Sequence, residues 1–311
     1  ESAWPAHMRP AGDAAAALLL ARAFAWRGWR ALRLSALSAA ALSVAHAVSP
    51  DLIGAVLSGV LALWRGEVVL GAAAATLFCA SAFAARRERD GVTADSLSSA
   101  AIIVFLTGLL VALRWFAAGG AGQHLDALTE HGLQALAVLN AGYLALPRAA
   151  REMGLVARWR GHVLMGLGLG YTLVEPGFLT NPWWGEAPGA IVGPPLLDTL
   201  LIAFAAPAAL AFGAAERLYK HQRDAARFYA AAGGLFALMW AALALRRAFH
   251  ADAIAMSDVG VFEAACYALL LIALALAVAL VARVREGPAR PFADDLRRST
   301  RFLTWACLLV A

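Results

Sequence analysis

FYAAAGGLFALMWAALAL, residues 228–245, runs eighteen residues without one charged side chain, and Arg246-Arg247 closes it. A helix needs about 20 apolar residues to cross the hydrocarbon core of a bilayer. A soluble helix of that length shows a polar stripe along one face, and this block has none. Similar apolar blocks at 196–215 and 261–282 alternate with short charged strings. The chain of 311 residues is 62% hydrophobic and 15% charged, against about 45–50% and about 25% in a soluble domain. Lipid, not water, is the solvent this composition suits.

Working outward, further apolar blocks stand at 35–48, 68–85, 100–116, 133–146 and 162–174, with an incomplete one from Phe302. The earlier stretch 14–26 is either a span or an interfacial helix with Trp26 and Trp29 at its edge. Residues 52–64 are too short to cross alone and read as re-entrant or as half of a kinked pair. The expected fold is an all-α, polytopic transmembrane bundle of about 8–10 helices, treated as a single domain over 1–311. A chain that starts at Glu1 and stops at Ala311 inside an apolar stretch is expected to be a piece of a longer protein.

The formal net charge of +5 does not point to nucleic acid, because the arginines sit between apolar blocks rather than on a patch. Arg86, Arg87 and Arg89 fill one connection, and Arg148, Arg151, Arg158 and Arg160 the next but one. Arg217, Lys220, Arg223 and Arg227 follow, then Arg283, Arg285, Arg290, Arg297, Arg298 and Arg301. The connections between them, 117–129, 175–195 and 251–260, contain no Lys or Arg. By the positive-inside rule the arginine-rich ends are cytoplasmic. Two crossings between Pro50 and Arg86 would break this parity, which argues against a span at 52–64. The three cysteines, Cys79, Cys266 and Cys307, lie in apolar segments at no metal spacing, so neither a disulfide framework nor a metal site is expected. No cofactor is expected, and the expected partners are membrane lipids and other membrane subunits.

The arginine-poor ends collect the unusual polar residues. Arg114, Glu130, Glu175, Arg246, Arg247, His250 and Glu263 form the candidate outer cluster, and Asn181, Trp183 and Trp184 the candidate interfacial loop. Ionisable groups near hydrocarbon pair with one another or line a wet cavity. Arg246 and His250 are four apart, on one helix face, and Glu263 heads the next block. One reading is an outward pocket in which an arginine binds an anion and a carboxylate or His250 moves a proton. The other is charges at helix ends that snorkel or pair between helices. Arg114 and Glu130 are separated by sixteen residues, and Arg246 and Glu263 by seventeen, which suggests a hairpin repeat over 100–147 and 228–282. Gly166 and Gly170 have the spacing of a close helix–helix contact. Pro207 is expected to kink its span, Asp198 to cap it, and Asn140 and Tyr143 to bond between helices.

Three segments carry a family resemblance: Asn181-Pro182-Trp183-Trp184-Gly185-Glu186-Ala187-Pro188-Gly189; Leu200-Leu201-Ile202-Ala203-Phe204-Ala205-Ala206-Pro207-Ala208; and Leu245-Arg246-Arg247-Ala248-Phe249-His250 with Glu263 and Tyr267. Over 181–282 the chain resembles the bacterial membrane proteins of domain of unknown function 2339. It departs at Ala244, where members often carry an acidic residue, and at Ala251, where a glycine commonly follows the histidine. The resemblance implies a large polytopic inner-membrane protein and no particular activity. The leading expectation is a transporter-like or assembly component that handles a lipid-linked or cell-envelope substrate at its outer face. The alternatives are a membrane-embedded transferase using Glu130, Glu175 or Glu263 as base, and a structural subunit of a larger membrane complex.

The alternation of charge makes a direct prediction. In intact cells, a cysteine at Ala187→Cys reacts with a membrane-impermeant maleimide and one at Arg223→Cys does not. The reverse pattern would invert the orientation.

Overall fold

The computed structural model describes residues 5–59, 62–87, 91–120, 124–146, 154–184, 191–251, 254–255 and 258–284. The helices are α1 (Arg9–Arg27), α2 (Arg30–Ala47), α3 (Pro50–Leu57), α4 (Leu63–Ala85), α5 (Val92–Ala117), α6 (Ala127–Ala145), α7 (Leu155–Val174), α8 (Ala206–Leu218), α9 (Arg223–His250) and α10 (Val261–Val284). No strand occurs among the described residues. The protein is an all-α helical bundle with apolar spans.

Local chemistry sets the breaks between helices. Gly28, at φ +74°, closes α1 in the left-handed region. Pro50 starts α3 where its missing N–H is not needed, and the Ser49 side chain accepts from the Leu52 amide. Asp126 caps α6 by accepting from the Thr129 amide at 2.8 Å. Two π-helical turns, Glu175–Leu179 and Leu201–Ala205, interrupt the chain next to prolines. Pro176 lies inside the first, and Pro207 follows the second at the start of α8. A proline inside a helix removes one ladder bond and pushes away the carbonyl four residues earlier. Widening to a π turn is one way to absorb that conflict. Pro207 therefore acts through the turn ahead of it.

Among the described residues, five segments are long and apolar enough to cross a membrane: Arg30–Leu57, Leu63–Ala85, Val92–Ala117, Leu201–Leu218 and Arg223–His250. Residues 52–57 belong to α3, which continues the α2 segment, so the separate span doubted from the sequence does not form. Helices α1, α6 and α7, of 19, 19 and 20 residues, are more polar but pack among the spans. At 1.5 Å per residue, each is about 30 Å long. Large apolar side chains such as Val68, Leu144 and Leu167 face outward, each more than 60% exposed. That arrangement suits lipid, not water.

Contacts between helix ends show which ends share a side. Gly28 after α1 lies against the Arg87 side chain after α4. At the opposite end of α1, Ser43 of α2 donates to the Pro10 carbonyl at 2.8 Å, and His46 meets Asp13 at 2.6 Å. So α1 runs parallel to α4 and antiparallel to α2. The parity holds because α3 adds no separate crossing between the α2 segment and α4. Arg27, Arg30 and Arg33 then lie at the same end as Arg86 and Arg87. Arg160 reaches Ser98 at 2.6 Å and Arg217 reaches the Tyr143 and Leu146 carbonyls at 2.8 Å, both at this arginine-rich end.

Two apolar clusters fill the interior. One joins α1 to α5 and is largely alanine, with Ala14, Ala17, Ala21, Ala73, Ala80 and Ala84 buried. Such small side chains let helix backbones approach closely, which is how packing works where lipid removes the hydrophobic drive. The other joins α6 to α9 around larger groups, among them Leu139, Met165, Phe204 and Phe236.

The glycine contact expected at Gly166 and Gly170 is corrected by the structure. Both positions open to free space, with no heavy atom within 4 Å of an added Cβ. The buried stripe of α7 runs through Ala157, Gly161, Met165, Gly168 and Thr172, which leaves Gly166 and Gly170 on the opposite face. The close approach instead uses Gly142 on α6 with Gly161 and Gly168 on α7. A Cβ at Gly142 would stand 2.6 Å from the Met165 amide nitrogen, and one at Gly161 2.7 Å from the Ala145 carbonyl carbon. Asn140 is also exposed and donates to the Leu136 carbonyl of its own helix at 2.8 Å, not to a neighbour. Gly142→Leu and Gly161→Leu are each expected to lower stability by about 1–3 kcal/mol through overpacking. Gly166→Leu should leave the thermal midpoint in detergent unchanged.

Candidate functional site

The arginine-poor end holds two polar networks. The first begins with the α9–α10 hairpin. Arg246 is the next-to-last turn of α9, and Glu263 lies in the first turn of α10; their side chains are each 3% exposed. Arg246 Nη1 donates to Glu263 Oε1 at 3.0 Å, and Arg246 Nε donates to the Ile254 carbonyl at 2.8 Å. His250 Nε2 sits 2.7 Å from Glu263 Oε2, and the Tyr267 hydroxyl donates to Oε1 at 2.9 Å. Trp183 covers the guanidinium at 4.8 Å and packs on Tyr267 at 5.8 Å. A ring face over a desolvated cation contributes about 2 kcal/mol.

Arg247 points elsewhere. It donates to Asp198 and, at 2.8 Å, to the Gly193 carbonyl. Asp198 is therefore more than a cap: one oxygen accepts from the Leu200 amide at 3.1 Å and the other holds Arg247. Asp198 had no place in the cluster expected from the sequence. Its position nine residues before Pro207, at the opening of an apolar block, was the signal available. Asn181 also turns inward. It is 3% exposed, donates to the Gly177 carbonyl at 2.9 Å and accepts from the Trp183 amide at 2.9 Å. Trp184 faces outward, with its indole N–H on the Phe178 carbonyl at 2.8 Å. The loop thus splits into a buried clamp and one exposed ring. Ala251, closing α9, has φ +49° and ψ −117°, a conformation that suits glycine.

The second network joins α5, α6 and the end of α7. Arg114 Nη1 donates to both Glu130 oxygens, at 2.8 and 2.7 Å. The Arg114 side chain is 55% exposed while Glu130 is 6% exposed. Gln134 Nε2 donates to Glu130 Oε1 at 2.9 Å, and the Tyr171 hydroxyl donates to Gln134 Oε1 at 2.6 Å. His131 Nδ1 lies 2.6 Å from the same hydroxyl. A carboxylate only accepts, so the Gln134 amide nitrogen must face Glu130 and its oxygen must face Tyr171. Tyr171 has then given its proton, and its oxygen accepts from His131 Nδ1–H. The other ring nitrogen, Nε2, faces Glu175 at 3.9 Å. Glu175 opens the first π turn, and Gly132 of α6 lies against Ala203 in the second, where a Cβ would meet the Ala203 Cα at 3.1 Å. Single π turns inside helices often mark functional sites.

The structure therefore separates the seven candidate residues. Arg246, His250 and Glu263 share one network, Arg114, Glu130 and Glu175 another, and Arg247 a third contact. In both hairpins an arginine ending one helix meets a glutamate opening the next. In both, the side chain four residues after the glutamate donates to the same glutamate oxygen. No group of three or more His, Cys, Asp or Glu capable of holding a metal occurs among the described residues.

Apolar outward faces, consecutive long apolar helices, and charges paired at the helix ends define a multi-pass α-helical membrane protein. The chain belongs to the family described as predicted membrane protein (DUF2339), whose model matches residues 4–289. The likeness thus extends well beyond the 181–282 region that first suggested it. No curated protein and no solved structure matches the chain.

Breaking the buried pair has a calculable cost. Glu263→Ala leaves Arg246 buried without its carboxylate, and loses about 3–5 kcal/mol of stability. The double variant Arg246→Met/Glu263→Leu should recover much of that loss. A double-mutant cycle by thermal unfolding in detergent measures the coupling, and strict additivity would remove the pair from the account.

Proposed function

We propose that this protein handles an anionic, lipid-linked or cell-envelope substrate at the arginine-poor face, and that the α5–α7 network is where the anion binds. The observation that carries the reading is the imbalance at Arg114. Its carboxylate partner is buried, while the guanidinium itself is more than half exposed and uses only Nη1 on Glu130. Among the described residues, Nη2 and Nε have no hydrogen-bond partner. A guanidinium held from behind by one carboxylate presents a fork suited to a phosphate or carboxylate in front. The chain from Glu130 through Gln134, Tyr171 and His131 fixes that arrangement and ends on Glu175 between the α7 helix and its π turn. By the positive-inside rule the arginine-rich ends support a cytoplasmic placement for that side, and with it the reading of this site as lying on the outer face of a bacterial inner membrane. The matched ion pairs in the two hairpins support reading 100–147 and 228–282 as a repeated unit.

A structural role is favoured for the other hairpin. Both Glu263 oxygens are taken by Arg246, Tyr267 and His250, and Trp183 caps the arginine. That cluster holds α9, α10 and the outer loop together and leaves no carboxylate oxygen for a ligand.

Farnesyl phosphate is a suitable probe of the proposed site, measured against farnesol by equilibrium binding to the chain in nanodiscs. The native protein should prefer the phosphate. Arg114→Gln/Glu130→Gln, which replaces the ion pair by an amide pair and avoids an unpaired buried carboxylate, should weaken it by about tenfold. Arg114→Lys should retain part of the affinity. Equal binding of farnesyl phosphate to the native and the double variant would refute the assignment.

A further inference from the structure

A separate cleft opens at the arginine-rich end, between the start of α7 and the start of α9. Its volume is about 400 Å³, and its walls include Arg158, Trp159 and His162 from α7 and Gln222, Phe228 and Tyr229 from α9 and its cap. His162 Nδ1 and the Tyr229 hydroxyl lie 2.9 Å apart, with the two rings parallel to within 5°. That bond occupies the Tyr229 hydroxyl and one ring nitrogen of His162, so the inner wall of the cleft is essentially apolar. Trp159 stands edge-on to His162 at 6.0 Å, and Trp159 and Phe228 are both more than half exposed.

The charge beside these rings is positive. Arg158 is one of the lining residues, and Arg223, outside the lining itself, follows the lining residue Gln222 at the start of α9. Both are exposed, and neither has a hydrogen-bond or ion-pair partner among the described residues. The other charged groups of that helix start are Arg227 and Asp224, which pair at 3.1 Å, so the carboxylate is directed to Arg227. An occupant must therefore be apolar where it meets the rings and anionic where it meets the arginines.

We propose that this cleft is a binding site for an anionic phospholipid of the leaflet at the arginine-rich end. The glycerol region and upper acyl chain pack on Trp159, Phe228 and the His162–Tyr229 pair, and the headgroup phosphate lies between Arg158 and Arg223. Basic pockets between transmembrane helices on the cytoplasmic side recognise anionic headgroups in this way, and tryptophan favours the headgroup level. The inference does not depend on the substrate site at the other face.

The test uses the full chain in nanodiscs with brominated phosphatidylglycerol or brominated phosphatidylcholine at equal mole fraction. The signal is the quenching lost in Trp159→Phe, which isolates that ring among the tryptophans. Phosphatidylglycerol should be preferred, by about fivefold per arginine at low salt. Arg158→Gln/Arg223→Gln, two surface changes that should leave the melting curve intact, should bring the two lipids level. Equal quenching by both lipids in the native chain overturns the proposal without reference to any variant. So does a preference that survives the double substitution, or one abolished by millimolar inorganic phosphate, which would mark a small-anion site instead.

Discussion

A polar group placed in hydrocarbon has no water to turn to, and this constraint organises the whole molecule. Backbone groups meet it by forming helices, whose ladders close within each segment. Side chains meet it by pairing. Arg246 is tolerable at 3% exposure only because Glu263, the Ile254 carbonyl and the Trp183 ring surround it. The pair sets where α10 begins relative to the end of α9, and through Trp183 it ties the segment after the first π turn to the same point. Arg247 extends the tie to Asp198 and Gly193, so two consecutive arginines hold two different segments.

The two hairpins solve the same problem with different completeness. Around Glu263 both oxygens are used by interior groups, and the cluster is closed. Around Glu130 the carboxylate is buried but its arginine is not. The difference lies in what covers the cation: Trp183 over Arg246, and no described ring over Arg114. Geometry that is otherwise alike thus gives one hairpin a fastening and leaves the other a charged surface. The π turns stand beside the open hairpin. Pro176 lies in one and Pro207 follows the other, and the first places Glu175 opposite His131.

The interior divides by side-chain size. In the α1–α5 half, alanine faces bring backbones together over most of their length. In the α6–α9 half, close approach falls at glycines such as Gly132, Gly142, Gly161 and Gly168, and larger side chains fill the rest. Where His162 of α7 meets Tyr229 of α9, the packing leaves a cleft rather than a seam.

The class of the fold was legible in the sequence, because apolar length and the placement of arginines are one-dimensional properties. So was the meeting of Arg246, His250 and Glu263, since a short connection forces two helix ends together. The sequence could not decide the register of α7. Gly166 and Gly170 share a face, but only the packing against α6 shows that the buried face is the one through Gly161 and Gly168. Nor could it place α1, whose packing beside α4 and α2 only the Gly28–Arg87 and Ser43–Pro10 contacts reveal. Asp198 as the partner of Arg247 was likewise invisible, being 49 residues away. Periodicity and charge record how a segment meets lipid. Which side chains meet each other across segments is settled only when the helices pack, because each polar group then takes whichever partner the neighbouring helix brings within reach.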